Sequence, residues 1–95
     1  MPFPNQVPRA FTKANIEAIK LGTVGVYGLF VNQGGWVYVG RGDIRARLLD
    51  HLNGGNPCIN KAKPTHYVDV ITNDDENIEK QLILELKPGC NQKVG

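Results

Sequence analysis

The sequence predicts a small α/β domain of the α+β type, a three-stranded antiparallel sheet flanked by helices. Two β-rich segments, Val24 to Val31 and Trp36 to Gly40, are joined by Asn32-Gln33-Gly34-Gly35, which is hairpin turn chemistry. Apolar residues recur at helical spacing after Asp43 and again after Asn73. Between those helices His66 to Thr72 alternates and carries β-branched residues, which marks a third strand.

The elements follow in order. Residues 1 to 10 contain three prolines and read as an extended arm. Thr12 is a candidate cap for a short helix through Lys20, with Ile16 and Ile19 facing inward and Gly22 near its end. The hairpin comes next and runs into Arg41-Gly42-Asp43, a cationic turn. Asp43 stands at the N-cap of a helix whose Ile44, Leu48, Leu49 and Leu52 form one stripe, and Gly54-Gly55-Asn56-Pro57 ends it. Residues 53 to 64, rich in Asn, Gly, Pro and Lys, read as a long loop. Asn73 with Glu76 suggests a capping box for a last helix through Lys87, stopped by Pro88-Gly89. The division expected is an arm and short helix over 1–23 packed on one structural unit over 24–95.

Composition narrows the function classes. With 95 residues there is room for one modest core, and 41% hydrophobic with 21% charged residues indicates a folded chain. No apolar run reaches the roughly 20 residues that cross a bilayer, and Met1-Pro2-Phe3-Pro4-Asn5 lacks a secretory pattern. A cytoplasmic protein is the expectation. Cys58 and Cys90 are too few for a disulfide framework and are expected as free thiols. The net charge of +2 is uninformative, but its distribution is not. Arg41, Arg45, Arg47, Lys61 and Lys63 concentrate positive charge in the middle of the chain, which suits a polyanion.

Several side chains carry possible chemistry. The hairpin brings Tyr27 and Tyr38 together, although a cross-strand tyrosine pair is also ordinary sheet packing. Arg47 and His51 are four apart and stack along the rim of an apolar helical stripe, which also describes an amphipathic boundary. At about 100° per residue, Ile78, Leu82, Ile83 and Leu86 form an apolar arc that includes Glu79. A carboxylate there needs a cationic or metal partner. A nearby arginine would serve as well as a metal.

Gly25-Val26-Tyr27, Tyr38-Val39-Gly40, a helical Arg47 with His51 one turn on, and Glu79 ahead of Leu82-Ile83, Pro88 and Asn91 together resemble the GIY-YIG endonuclease family. The resemblance covers residues 24 to 91. It implies a GIY-YIG nuclease-like fold and a metal-dependent endonuclease that hydrolyses DNA phosphodiester bonds by water attack. It implies that Tyr27 activates or positions the water, that Tyr38 contacts the phosphate or shares the proton handling, and that Arg47 stabilises the phosphoryl charge. His51 matches a histidine of some branches. Glu79 would hold one Mg²⁺ or Mn²⁺ ion, and Asn91 would brace the site or contact substrate. Arg41, Arg45, Lys61 and Lys63 would bind DNA, with Arg45 a second candidate for the catalytic arginine because the turn before it is short. Targeting would come from the N-terminal arm, the 53–64 loop, a homodimer or a partner protein, and no membrane is implied. The alternative is a nucleic-acid-binding or assembly module that keeps the fold with little or no catalysis.

Overall fold

The computed structural model describes residues 8–32 and 34–91. The first seven residues of the expected arm, Gln33 of the hairpin turn and the last four residues of the 24–95 unit lie outside that range. The elements are β1 (Arg9–Ala10), α1 (Lys13–Glu17), β2 (Val24–Phe30), β3 (Trp36–Asp43), α2 (Ile44–Leu52), α3 (Pro57–Ala62), β4 (His66–Ile71) and α4 (Asp75–Leu86), then a 3₁₀ turn over Gly89–Asn91.

The sheet has four strands rather than three, in the order β1-β4-β2-β3, and every pairing is antiparallel. The extra strand is the end of the expected arm. Arg9 and Ala10 pair with Tyr67 and His66, so an extended, proline-preceded segment covers the edge β4 would otherwise expose. β3 also runs further than expected. Arg41, Gly42 and Asp43 continue the ladder against Val26, Gly25 and Val24 instead of forming a turn. Near the hairpin end Leu29 pairs with Tyr38 and Phe30 with Trp36, which leaves Val37 as a bulge residue.

Helices cover both faces. Tyr27, Leu29 and Tyr67 pack with Ile16, Ile44, Leu48 and Ile59 from α1, α2 and α3. On the other face Val26, Val39 and Val68 meet Leu82 of α4, with Ile78, Ile83 and Leu86 alongside. The two apolar stripes read from the sequence are these two helix faces. No helix among the described residues is long and apolar enough to cross a membrane.

Caps explain the helix starts. Thr12 Oγ1 accepts from Asn15 N, and α1 is shorter than expected. Asp43 has two tasks: Oδ1 accepts from Ala46 N at 3.1 Å and Oδ2 from Gly22 N at 3.1 Å. One carboxylate therefore fixes both the start of α2 and the turn that enters β2. The 53–64 segment is not a loop throughout. Asn56 Oδ1 accepts from Cys58 N and Ile59 N, Pro57 fits a first helical turn, and Ile59 is driven into the core, which together make α3. Lys63, at φ 54°, stops it. The expected capping box before α4 is absent. Asp74 is the N-cap and makes no side-chain cap bond, because its Oδ1 accepts from Asn77 Nδ2 instead.

Cys58 and Cys90 are joined in a disulfide, not free. They are 32 residues apart, but the fold sets α3 beside the 3₁₀ turn, with Cα atoms 5.7 Å apart, inside the usual disulfide range. A link closing a loop of this length stabilises by about 2–4 kcal/mol.

Because Asp43 serves two backbone donors, Asp43→Ala should destabilise by about 1–2 kcal/mol, and Asp43→Asn by less. Urea unfolding followed by circular dichroism measures this. Equal stability of the alanine variant would mean water replaces the carboxylate at both sites.

Candidate active site

A cavity of about 350 Å³ opens where α2 and α4 approach edge strand β3, lined by Tyr27, Tyr38, Arg41, Gly42, Arg47, His51 and Glu79. Four elements contribute: β2, β3, α2 and α4.

Tyr27 is almost wholly buried, and its hydroxyl lies 2.7 Å from His51 Nε2. The phenol lies across Gly40, its partner on β3. A Cβ at Gly40 would run into the Tyr27 hydroxyl and ring carbon, so only glycine leaves this space. Gly25 is constrained differently, since a Cβ there would strike the Val70 carbonyl of β4. Tyr38 completes an aromatic group. Its ring is 6.3 Å from Tyr27 and meets His51 edge-on at 5.1 Å.

The environment sets these groups' protonation. Burial holds the Tyr27 phenol far above its ordinary value, Tyr38 adds to this, and Arg47 only partly opposes it. Tyr38 is raised for the same first reason, with Glu79 adding to it. Burial pushes His51 below its ordinary 6.5, the Asp50 carboxylate opposes this, and the Arg47 charge adds a smaller push downward. At neutral pH the set is therefore two neutral phenols and a neutral imidazole. His51 Nδ1 is buried with no hydrogen-bond partner among the described residues. Nothing there locks the tautomer, so the Tyr27–His51 bond has no fixed donor.

The two arginines on the cavity are employed differently. Arg41 Nη1 is 3.3 Å from Asp75 Oδ2, and its Nε is 3.6 Å from Glu79 Oε1. Arg41, expected as a DNA contact, is thus engaged by two carboxylates one turn apart on α4. Among the described residues no carboxylate lies within ion-pair distance of Arg47. Its guanidinium passes beside Gly42, where an added Cβ would sit 3.5 Å from Nε, and φ of +116° there also requires glycine. Glu79 keeps a side-chain exposure of 23%. Partial desolvation raises its pKa, against the pull of Arg41.

Tyr27, Tyr38, Arg47, His51 and Glu79, the five expected catalytic residues, meet on this one cavity. Of the remaining candidates Arg41 also lines it, while Arg45, Lys61, Lys63 and Asn91 do not. Arg45 lies on α2 away from it, with a buried Nε that has no hydrogen-bond partner among the described residues. Lys61 is exposed on α3, and Lys63 lines a smaller cavity of about 200 Å³ with Phe11, Ile59 and Asn60. Asn91 is committed to protein: Val39 N donates to its Oδ1 at 2.6 Å, and its Nδ2 donates to Val39 O at 2.9 Å. It braces β3. Asp75 was not foreseen, although its place four residues before Glu79 on one helix face was the available signal.

Comparison of the chain with protein-family models and with curated proteins returned no match.

An NMR titration of His51 should give a midpoint below 6.5. Arg47→Gln removes a positive charge that opposes imidazolium formation, so the midpoint should rise. An unchanged midpoint would show that Arg47 is too far away or too well screened to act on the imidazole.

Proposed function

We propose that the chain is a divalent-metal-dependent endonuclease that hydrolyses DNA phosphodiester bonds by water attack, built on a GIY-YIG-like domain. The observation that carries this reading is the meeting of Tyr27, Tyr38, Arg47, His51 and Glu79, from four elements spread over the chain, on one polar cavity. Ordinary packing explains a tyrosine pair or a rim arginine singly. It gives no reason for a guanidinium with no ion pair among the described residues, a phenol–imidazole pair and a half-buried carboxylate to face the same space.

Each side chain then has a task. A nucleophilic water needs a base, and the phenolate of Tyr27 is a poor candidate because burial disfavours that charge. Neutral His51 is the better terminal acceptor. The water's proton passes to the Tyr27 oxygen as the Tyr27 proton passes to His51 Nε2, across the 2.7 Å bond. Arg47, uncommitted to any described carboxylate, faces the charge that grows on the non-bridging oxygens. Tyr38 donates to the same phosphate. Glu79 fits a divalent cation that takes one carboxylate and otherwise water and substrate oxygens, a coordination Mg²⁺ tolerates. When bound, such an ion would withdraw charge from the phosphoryl group and the leaving oxygen. Lys61 and Lys63 would meet the DNA backbone outside the cavity.

One observation favours the alternative, a binding or assembly module with little catalysis. Arg41 already supplies a cation to Glu79 and Asp75. The two readings differ in turnover.

Supercoiled plasmid should be nicked in Mg²⁺ or Mn²⁺. Folded Arg47→Ala and Glu79→Gln should lose about 10²–10³-fold in rate, and Tyr27→Phe about 10²–10⁴-fold. Full activity in all three would remove the site assignment, and no cleavage with any divalent ion would favour the binding module.

The pH profile separates the two bases. With His51 as acceptor the rate falls as pH drops through a midpoint below 6.5 and stays level toward pH 10. A rate still climbing at pH 10 would restore the phenolate.

A further inference from the structure

Cys58 and Cys90 take no part in the chemistry above, yet each adjoins a residue that holds part of the site. Cys90 is followed by Asn91, whose amide makes both hydrogen bonds to Val39, the residue between Tyr38 and Gly40. Cys58 is followed by Ile59, buried in the same core cluster as Tyr27 and Leu48. The covalent link thus runs from α3 to the turn that splints the strand carrying Tyr38.

The segments it spans are unequally held. β4 is paired along the sheet with β2, and α4 buries Leu82 against the sheet. Neither needs the cross-link to stay in place. The 3₁₀ turn is three residues long and is fastened to β3 by the side chain of Asn91. Breaking the disulfide leaves that amide, buried Pro88 before the turn and the packing of Cys90 on the core to hold the end of the described chain on an edge strand.

We propose that Cys58–Cys90 is a redox-active disulfide that controls the order of β3, with a dithiol reductant as its reaction partner. Cys58 is exposed and Cys90 half-buried, so the reductant's thiolate attacks Cys58 Sγ. The Cys58–Cys90 bond breaks, Cys90 leaves as thiolate, and a mixed disulfide forms on Cys58. The reductant's second thiol then attacks its own sulfur in that bond, closing the reductant's disulfide and releasing Cys58. Two electrons and two protons pass from the dithiol to the protein. Oxidised, the chain holds Asn91 on Val39 and the cavity wall in register. Reduced, the turn detaches and the Tyr38–Gly40 wall loosens. In a reducing cytosol such a bond is transient, which is the behaviour of redox-sensing pairs.

The effect on cleavage rests on the nuclease reading, so the test has a readout that does not. Oxidised protein and protein reduced with dithiothreitol are compared by thiol alkylation with mass spectrometry, by amide hydrogen exchange and by Mg²⁺-dependent plasmid nicking. On reduction the Val39 amide should exchange about tenfold or more faster while the β2–β4 ladder stays protected, and nicking should fall by a similar factor. Cys58→Ser/Cys90→Ser should match the reduced state and ignore dithiothreitol. Asn91→Ala with the disulfide intact should show the same fast Val39 exchange. Faster Val39 exchange without nicking in either state supports the switch and sinks the nuclease reading alone. The proposal is overturned by unchanged Val39 protection after full reduction, by equal acceleration throughout the sheet, or by two thiols that no oxidant couples.

Discussion

The hydrogen bond between the Tyr27 hydroxyl and His51 Nε2 is the constraint around which the site is arranged. It ties the middle of β2 to the last turn of α2 through atoms that are both withdrawn from water. An unpaired phenol or imidazole at that depth would carry a desolvation penalty, so the pair specifies how α2 lies on the sheet. The bond also dictates sequence elsewhere. Gly40 must be glycine because the phenol occupies the space of its Cβ. Arg47 is one helical turn before His51, so fixing His51 fixes where Arg47 enters the cavity, beside Gly42. One interaction between a strand and a helix therefore selects three residue types, Tyr27, His51 and Gly40, and places a fourth, Arg47.

Burial decides the chemistry as well. Desolvation pushes the phenols away from ionising and the imidazole away from charging, so the three rings stay neutral near pH 7. Formal charge in the cavity is left to Arg41, Arg47 and Glu79. Of these, Arg41 and Glu79 largely answer each other, with Asp75 as a third member. Arg47 has no carboxylate within ion-pair distance among the described residues. A neutral hydrogen-bonded pair beside this cation is what the proposed phosphodiester chemistry draws on.

Much of this was legible in the chain because the signals are local. The hairpin turn, the Asp43 cap and the two apolar stripes each depend on residues a few positions apart, and the Tyr, Tyr, Arg, His, Glu set was legible only by its order along the chain. What escaped depends on tertiary placement. The arm becomes a strand only because β4 has a free edge beside it. Asn56-Pro57 was read as a stop, yet the same pair caps a new helix once Ile59 finds the core. Asn73 lost the cap to Asp74 by one residue, a difference hydrogen-bond competition decides and periodicity does not. Arg41 reads as a DNA contact from the sequence because its two carboxylates are more than thirty positions away. The disulfide was missed for the same reason, as two cysteines 32 residues apart carry no spacing signal.

The placement of the cavity on β3 has a structural consequence. β3 is an edge strand, so its outer side has no ladder, and Tyr38, Gly40 and Arg41 all belong to it. An edge is where α2 and α4, from opposite faces of the sheet, can both reach one space, which an interior strand would not allow. The cost is that the strand bearing the site is supported on one side only. Asn91 compensates by presenting its amide to Val39 as a neighbouring backbone would, one donor and one acceptor. A single side chain is a short splint, and its own segment is anchored through Cys90. The order of the cavity wall is thereby linked to a bond outside the cavity. A site built on an interior strand would have no use for that link.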